Sequence, residues 1–332
     1  MIAVFLCEVN QTTPNISRYA IIVDMDAYIA VDVGGTRMRA AVYPQEGIAP
    51  IAVEKIRTTG RKGTPVERLI DLLKQIWPEK ATVKGIGLAA PGYLDAQQGI
   101  VISAPNIPGW INLPLRHEIQ SVFDVPVFLG NDANLAALGE WKYGAGKGHH
   151  HVLYITISTG IGGGIIIDDR LLVGAHGLAA EIGHVTILPD GPKCGCGHRG
   201  HLEALASGTA IAKYVAEQLV LGVPSSLSSL ENPTAADISL AAEKGDALAI
   251  EAFNRAGSFL GMALADFLHT FNPSIVILGG GVSRSGRLII DPIRNTLPRH
   301  VLSLEYIRDL VITTAVLGDD AGLVGALALA RG

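Results

Sequence analysis

Three groups of residues in this sequence have types and spacings suited to chemistry. In "CGCGHRGHLE", residues 194–203, Cys194 and Cys196 sit one residue apart beside His198 and His201, in a chain with three cysteines in all. A disulfide between them would close a very small ring and force both sulfurs out of their usual geometry, which makes a redox pair a poor reading and leaves metal binding open. In "LGNDAN", Asn131 and Asp132 stand side by side where a strand meets a helix. Either residue type caps a helix by accepting hydrogen bonds from its first N–H groups, and that role weighs evenly against a functional one.

The third group is glycine-rich: "DVGGT" at 32–36, "STGIGGG" at 158–164 and "LGGG" at 278–281. A P-loop needs Lys followed by Ser or Thr after its glycines, and none of the clusters has it. A dinucleotide site needs glycines that open a helix, whereas "TGIGGG" runs straight into "IIID". What remains is a hairpin turn whose backbone N–H groups and threonine hydroxyls approach phosphate oxygens because no Cβ intervenes. Gly34, Gly35, Thr36, Thr159, Gly160 and Gly279 to Gly281 are the candidates, and Asp32 is placed to hold Mg²⁺ through water. One such turn alone reads as a tight turn with a polar neighbour; two matched hairpins and a third cluster favour phosphate.

The elements that must position these groups follow from the sequence pattern. "YIAVDVGGTRMRAAVY" (28–43) has two runs of strand formers around a glycine turn, and "LYITISTGIGGGIIID" (153–168) repeats that grammar. The repetition points to a duplicated architecture with one copy in each half. Between the hairpins come a helix near 64–77, a strand at 83–92 and a strand at 126–132 that runs into a helix, an alternation of α/β character. Helical patterns follow, including 246–271, which its glycines and Pro273 punctuate; a buried strand then leads into "LGGG", and an apolar helix ends the chain. The segment 221–234 reads as a surface loop.

Composition narrows the function classes. The chain has 332 residues, enough for two domains, with 48% hydrophobic and 17% charged residues and a net charge of −5. There is no basic field for a nucleic-acid backbone and no apolar run long enough to span a membrane. No signal-peptide pattern opens the chain, and few cysteines fit a reducing compartment, so a cytoplasmic protein is expected. Residues 1–24 look poorly connected to the rest of the chain, and either a tail or an upstream start accounts for them; Cys7 reads as a small apolar residue. The triplet His149 to His151, without a nearby acidic or thiolate partner in the sequence, reads as a surface turn.

Taken together, "DVGGT", "GNDAN", "STGIGGG", "EIGH", "CGCGHRGHLE" and "LGGG" resemble the ROK family of sugar kinases and sugar-responsive repressors, from about residue 28 to the C-terminus, and within it the ATP-dependent glucokinases. That resemblance implies the actin-like, hexokinase-type (ribonuclease H-like) fold, two α/β domains around a cleft. The corresponding borders are a tail at 1–25, a small domain at 26–134 completed by 316–332, and a large domain at 135–315. It implies Asp132 as catalytic base, with Asn106, Asn131, Glu181, His184 and Glu203 as further sugar contacts. The family's usual metal loop has a third cysteine where this chain has His201; the implied zinc set is His184, Cys194, Cys196 and His201, with His198 in reserve.

The expected activity is phosphorylation of a hexose by Mg-ATP, glucose first, by a homodimer that binds neither nucleic acid nor membrane. Fructose, mannose, N-acetylglucosamine and N-acetylmannosamine stand as alternative acceptors, and polyphosphate as an alternative donor. A sugar-sensing repressor fits less well, because such proteins carry a helix-turn-helix domain ahead of the first hairpin, and the 27 residues before Tyr28 contain Arg18 as their sole basic side chain.

Overall fold

The computed structural model describes residues 25–60 and 62–332. Cys7 and the tail expected at 1–25, apart from Met25, lie outside the described residues. The first hairpin forms as expected, from β1 (Met25–Val33) and antiparallel β2 (Arg37–Pro44), with Val33 opposite Met38 across the Gly34–Thr36 turn. β3 (Ala52–Arg57) pairs with β2 at the sheet edge. Helix α1 (Pro65–Ile76) starts where its sequence dictates: Thr64 accepts from the Glu67 N–H, Glu67 accepts from the Thr64 N–H, and Pro65 occupies the first turn.

β4 (Ala81–Ala90) then runs parallel to β1. It ends two residues earlier than the sequence suggests, because Gly92 turns with φ +86° against the Ser103 carbonyl. A small antiparallel sheet follows, β5 (Tyr93–Asp95), β6 (Ile100–Ser103) and β7 (Ile111–Leu113), and after it α2 (Leu115–Phe123). β8 (Val127–Asn131) pairs parallel to β4 and passes directly into α3 (Asp132–Tyr143).

The second half repeats this order. β9 (Val152–Ile157), β10 (Ile161–Ile167) and β11 (Arg170–Leu171) form the antiparallel part. A long loop precedes α4 (Leu202–Ala206), α5 (Gly208–Val220), α6 (Ala235–Glu243) and α7 (Ala247–Phe271). β12 (Ile275–Gly279), α8 (Arg287–Thr296), β13 (Val311–Thr314) and α9 (Ala321–Arg331) complete the chain. The sheet orders are β3-β2-β1-β4-β8 and β11-β10-β9-β12-β13, the same topology twice. The repetition bears out the duplicated architecture read from the two hairpins, and the fold is the actin-like, hexokinase-type one that the family resemblance implied.

The glycines expected to punctuate 246–271 do not break α7, which is continuous. A Cβ at Gly257 would lie 2.6 Å from Pro292 Cβ, and one at Gly261 would lie 3.0 Å from the Ile293 carbonyl. They are there so that α8 can pack closely on α7.

Period-two alternation buries both faces of each sheet. In the first, Ile29, Val31, Ile86 and Leu88 pack with Leu69 and Leu73 of α1, while Ala30 and Ala89 meet Leu323 and Leu327 of α9. In the second, Leu153, Ile155, Val276 and Leu278 pack with Phe253 and Leu264 of α7, while Val152, Tyr154 and Ile277 meet Ala136 and Ala137 of α3. Helices α3 and α9 therefore lie between the two sheets. No helix among the described residues is long and apolar enough to cross a membrane.

Candidate active site and metal loop

Asn131 and Asp132 divide the two roles their sequence allowed. Asn131 caps α3, its Oδ1 accepting from the N–H groups of Ala133 at 3.0 Å and Asn134 at 3.1 Å, while its Nδ2 donates to the Gly92 carbonyl at 3.3 Å. Asp132 is thereby left with one local bond, from the Ala133 N–H at 2.8 Å, and otherwise faces a cleft of about 600 Å³. Burial pushes its carboxyl up to about 6 against the pull of the Ala133 N–H, and the negative charges of Asp32 and Glu181 add to the rise.

The cleft gathers every sugar contact implied by the sequence: Asn106, Asn131, Asp132, Glu181, His184 and Glu203 all line it. Burial raises the Glu181 carboxyl above its ordinary value, with His184 opposing and Glu203 adding to the rise. Both Glu203 oxygens are engaged, Oε2 accepting from the Ile161 N–H at 3.1 Å and Oε1 from the Cys194 thiol at 3.5 Å. Tyr93 also lines the cleft and was not singled out from the sequence. Its only signal there was an aromatic directly after the Pro91–Gly92 turn.

The four expected metal ligands converge. One donor atom from each of His184, Cys194, Cys196 and His201 lies within 4.8 Å of the others, the one such group among the described residues. Cys196 Sγ is 3.2 Å from His201 Nδ1, and Cys194 Sγ is 3.8 Å from His184 Nδ1. His198, the reserve, is outside the four; its ring centre lies 5.6 Å from that of His201. The loop closes tightly through Cys194 N–H to the His198 carbonyl at 2.8 Å, and Gly200 has φ +71° where a Cβ would fall 1.5 Å from the Leu188 carbonyl oxygen. Two thiols and two imidazoles at this separation fit a tetrahedral zinc ion.

The phosphate candidates divide more unevenly. Asp32 is not free: Arg39 Nη2 is 2.9 Å from its Oδ2 and also donates to the Asp319 carbonyl, while Nη1 of the same guanidinium pairs with Asp320 at 3.0 Å. In the first turn Gly34 N–H donates to the Arg37 carbonyl at 2.9 Å, the Thr58 N–H donates to the Thr36 carbonyl at 3.0 Å, and a Cβ at Gly35 would come within 3.1 Å of Asn106 Cβ. At Gly160 a Cβ would fall 2.3 Å from Glu203 Oε2. Thr159 and Gly281 line a second, largely apolar cleft of about 710 Å³ with Ala212, Ala235, Val282 and Arg284. Gly279 and Gly280 instead make close contacts, a Cβ falling 2.2 Å from the Tyr154 hydroxyl and 2.3 Å from the Ile157 carbonyl oxygen.

The histidine triplet does have acidic partners, contrary to its reading from sequence. His150 Nδ1 is 2.8 Å from Asp169 Oδ2, and His151 Nε2 is 3.6 Å from Asp168 Oδ1, because the β10–β11 turn, with φ +50° and +62° at these aspartates, folds back over it. Those contacts staple an exposed turn and form no metal-capable group among the described residues.

The ROK family model matches residues 28–332. The chain belongs to the ROK family. It is 38% identical over 321 residues to a glucokinase of Streptomyces coelicolor, an alignment covering 92% of this chain and 98% of that one. It superposes with a TM-score of 0.77 on the structure of a ROK glucokinase from Streptomyces griseus in complex with glucose and AMPPNP, at 38% identity, covering 92% of this chain and 99% of the other. A xylose repressor of Bacillus subtilis is also 38% identical, but over 220 residues, 66% of this chain and 54% of the repressor. This ROK chain thus matches kinases end to end and the repressor over about half of the repressor's length.

Proposed function

We propose that this ROK protein is an ATP-dependent sugar kinase that phosphorylates the 6-hydroxyl of a hexose, glucose first. The observation that carries this reading is Asp132, at the first turn of α3, with its carboxyl in the cleft that all the sugar-contact candidates line. With its carboxyl pushed up to about 6, Asp132 is ionised at neutral pH and basic enough to accept a proton. As the bond from the sugar oxygen to the γ-phosphorus forms, the hydroxyl proton passes to Asp132, and the bond to the bridging oxygen breaks with its electron pair leaving on ADP. The loose transition state makes alignment of hydroxyl and phosphoryl group the larger contribution, which Asn106, Glu181 and His184 would supply by fixing the sugar.

The apolar cleft beside Thr159 and Gly281 suits the adenosine part of ATP, and the two hairpin turns its phosphates. Mg²⁺ would be held through water by Asp32 through Oδ1, since Oδ2 is paired with Arg39, and when bound it would neutralise phosphate charge. His184, Cys194, Cys196 and His201 would hold zinc as a closed structural site. We place the domain border as the sequence suggested, 26–134 with 316–332 against 135–315, and expect a cytoplasmic homodimer. The zinc, the base and the borders rest on geometry and resemblance together.

A second reading, a sugar sensor without turnover, draws on the repressor similarity. ADP formation with Mg-ATP across glucose, fructose, mannose, N-acetylglucosamine and N-acetylmannosamine separates the two. Preference for glucose is expected. Preference for another sugar would change the acceptor, and binding of any of them without turnover would favour the sensor.

A further inference from the structure

Glu140 is a fully buried carboxylate that plays no part in the cleft chemistry. It lies two turns along α3 from Asp132, and each of its oxygens accepts a backbone N–H: Oε2 from Ala145 at 2.9 Å and Oε1 from Leu317 at 2.7 Å. Those two donors belong to the segments 144–151 and 315–320, which join α3 to β9 and β13 to α9. The second is one of the two places where the chain passes between the sheets; the first follows directly from the other, β8 into α3.

The helices that these passages feed cross at closest approach next to Glu140. A Cβ at Gly139 would fall 2.7 Å from the Ala321 carbonyl oxygen, and one at Gly325 would fall 1.7 Å from the Leu135 carbonyl oxygen. Helix α9 packs on the first sheet, α3 on the second. The sugar cleft takes Tyr93 and Asn106 from the first half and Glu181, His184 and Glu203 from the second, so narrowing it around a sugar means turning α9 against α3.

Beside the glycine crossing on which the two halves of such a fold turn, we propose that Glu140 is a fastener, a positioning residue that locks the start of the β13–α9 passage to α3. Bending is thereby confined to the turn after Leu317, where Gly318 has φ +55°. That turn is also what reaches the phosphate side: Asp320 pairs with Arg39, which holds Asp32, and Asp319 pairs with Arg284 at the rim of the apolar cleft. One buried carboxylate thus sets the distance between Asp132 on its own helix and the first phosphate hairpin.

The inference rests on the kinase reading for its kinetic consequence and on ligand-induced closure for its structural one. In Glu140→Gln the carbonyl oxygen accepts from one of the two N–H donors and the amide NH₂ opposes the other, so one tie is lost. Small-angle scattering with glucose and a non-hydrolysable ATP analogue, sugar affinity and steady-state kinetics are measured side by side. The expected result is a sugar Kd within about threefold of the parent, loss of the ligand-induced compaction, and a kcat reduced about 10- to 100-fold, the scale of an ångström-sized misalignment. Parental compaction and kcat in Glu140→Gln, whatever its Tm, would overturn the proposal, as would a parent chain that the ligands do not compact. If Glu140→Gln fails to fold, Leu317→Pro removes the same bond from the donor side at a φ of −78° that proline accepts. If the parent compacts without turnover, the kinase reading falls, and compaction in the variant alone decides the fastener.

Discussion

The Cys194 thiol donates to Glu203 Oε1 at 3.5 Å while the other oxygen of that carboxylate accepts the Ile161 N–H at 3.1 Å. The metal loop and the second hairpin are therefore joined through one side chain that also faces the sugar cleft. That bond needs the thiol proton, which Cys194 gives up as a zinc ligand, so losing the metal should reset the contact between the loop and Glu203, free His184, and disturb the sugar site before the nucleotide site. Elemental analysis is expected to find one zinc per chain. Cys196→Ser should lose it and raise the sugar KM about 10- to 100-fold, with the ATP KM within about twofold. A native protein that is metal-free and fully active would refute the zinc assignment.

Asp132 carries a stability cost together with its proposed chemistry. Its folded carboxyl lies at about 6, above the ordinary 3.8, so the folded state holds the proton more tightly than the unfolded chain. The stabilising contribution of the protonated form is complete below about pH 4 and is lost as pH rises through 6. Asp132→Asn should therefore be more stable than the parent by about 1–3 kcal/mol at pH 8, a gain that shrinks toward zero near pH 4. The same variant should bind sugar and lose roughly 10² to 10⁴ in kcat, and the parent's kcat/KM should fall on an acid limb near pH 6. Denaturant titrations at the two pH values and a rate profile check this; near-parental turnover would remove Asp132 from the role of base.

Asp246, which lines neither cleft, shows the opposite sign. Its Oδ1 accepts the Ala249 N–H at the start of α7, and its Oδ2 accepts the Ser226 N–H and the Ser225 and Ser226 hydroxyls, tying the 221–234 loop to the helix. Partial burial pushes the carboxyl up, but these donors outweigh it and hold the group down at about 2. The stability it contributes is present above about pH 4 and fades as pH falls through 2. Asp246→Ala should cost about 1–2 kcal/mol at pH 7, the loss of a good cap, and leave kinetics unchanged at 25 °C. Chemical denaturation would show it.

The sequence made the local elements legible because their signals are local: the helix near 64–77 and the two hairpins; the four metal ligands, with His184 ten residues before Cys194, were reached through the family resemblance. Pairings between distant residues were not legible. Arg39 reads as an ordinary strand residue until Asp320, 281 positions away, is placed beside it. Glu140 reads as part of a polar helix end until Leu317 arrives from the far end of the chain. The phosphate reading of the second cluster rests on Thr159 and Gly160, whereas the glycines of β10 itself answer to packing: a Cβ at Gly163 would fall 2.3 Å from Ile182 Cδ1 and one at Gly164 would fall 2.4 Å from Ala137 Cβ. Gly164 lets the strand lie close against α3 and Gly163 lets it lie close against the segment that carries Glu181 and His184, demands that come from tertiary packing.

The "LGGG" cluster separates packing from binding within adjacent residues. Gly280 has φ +80° and no room, with a Cβ falling 2.3 Å from the Ile157 carbonyl oxygen, so Gly280→Ala should lose about 1–3 kcal/mol through strain and overpacking. Gly281 has φ −63°, nothing within 4 Å of its would-be Cβ, and a place on the wall of the apolar cleft. Gly281→Ala should fold with an unchanged Tm. If adenosine occupies that cleft, the added methyl should raise the ATP KM about threefold or more while the sugar KM stays put. An unchanged ATP KM would move the nucleotide away from this wall, and the 260 Å³ cavity on the other side of Arg284, lined by Gly279, Gly280 and Thr314, would be the place to probe next.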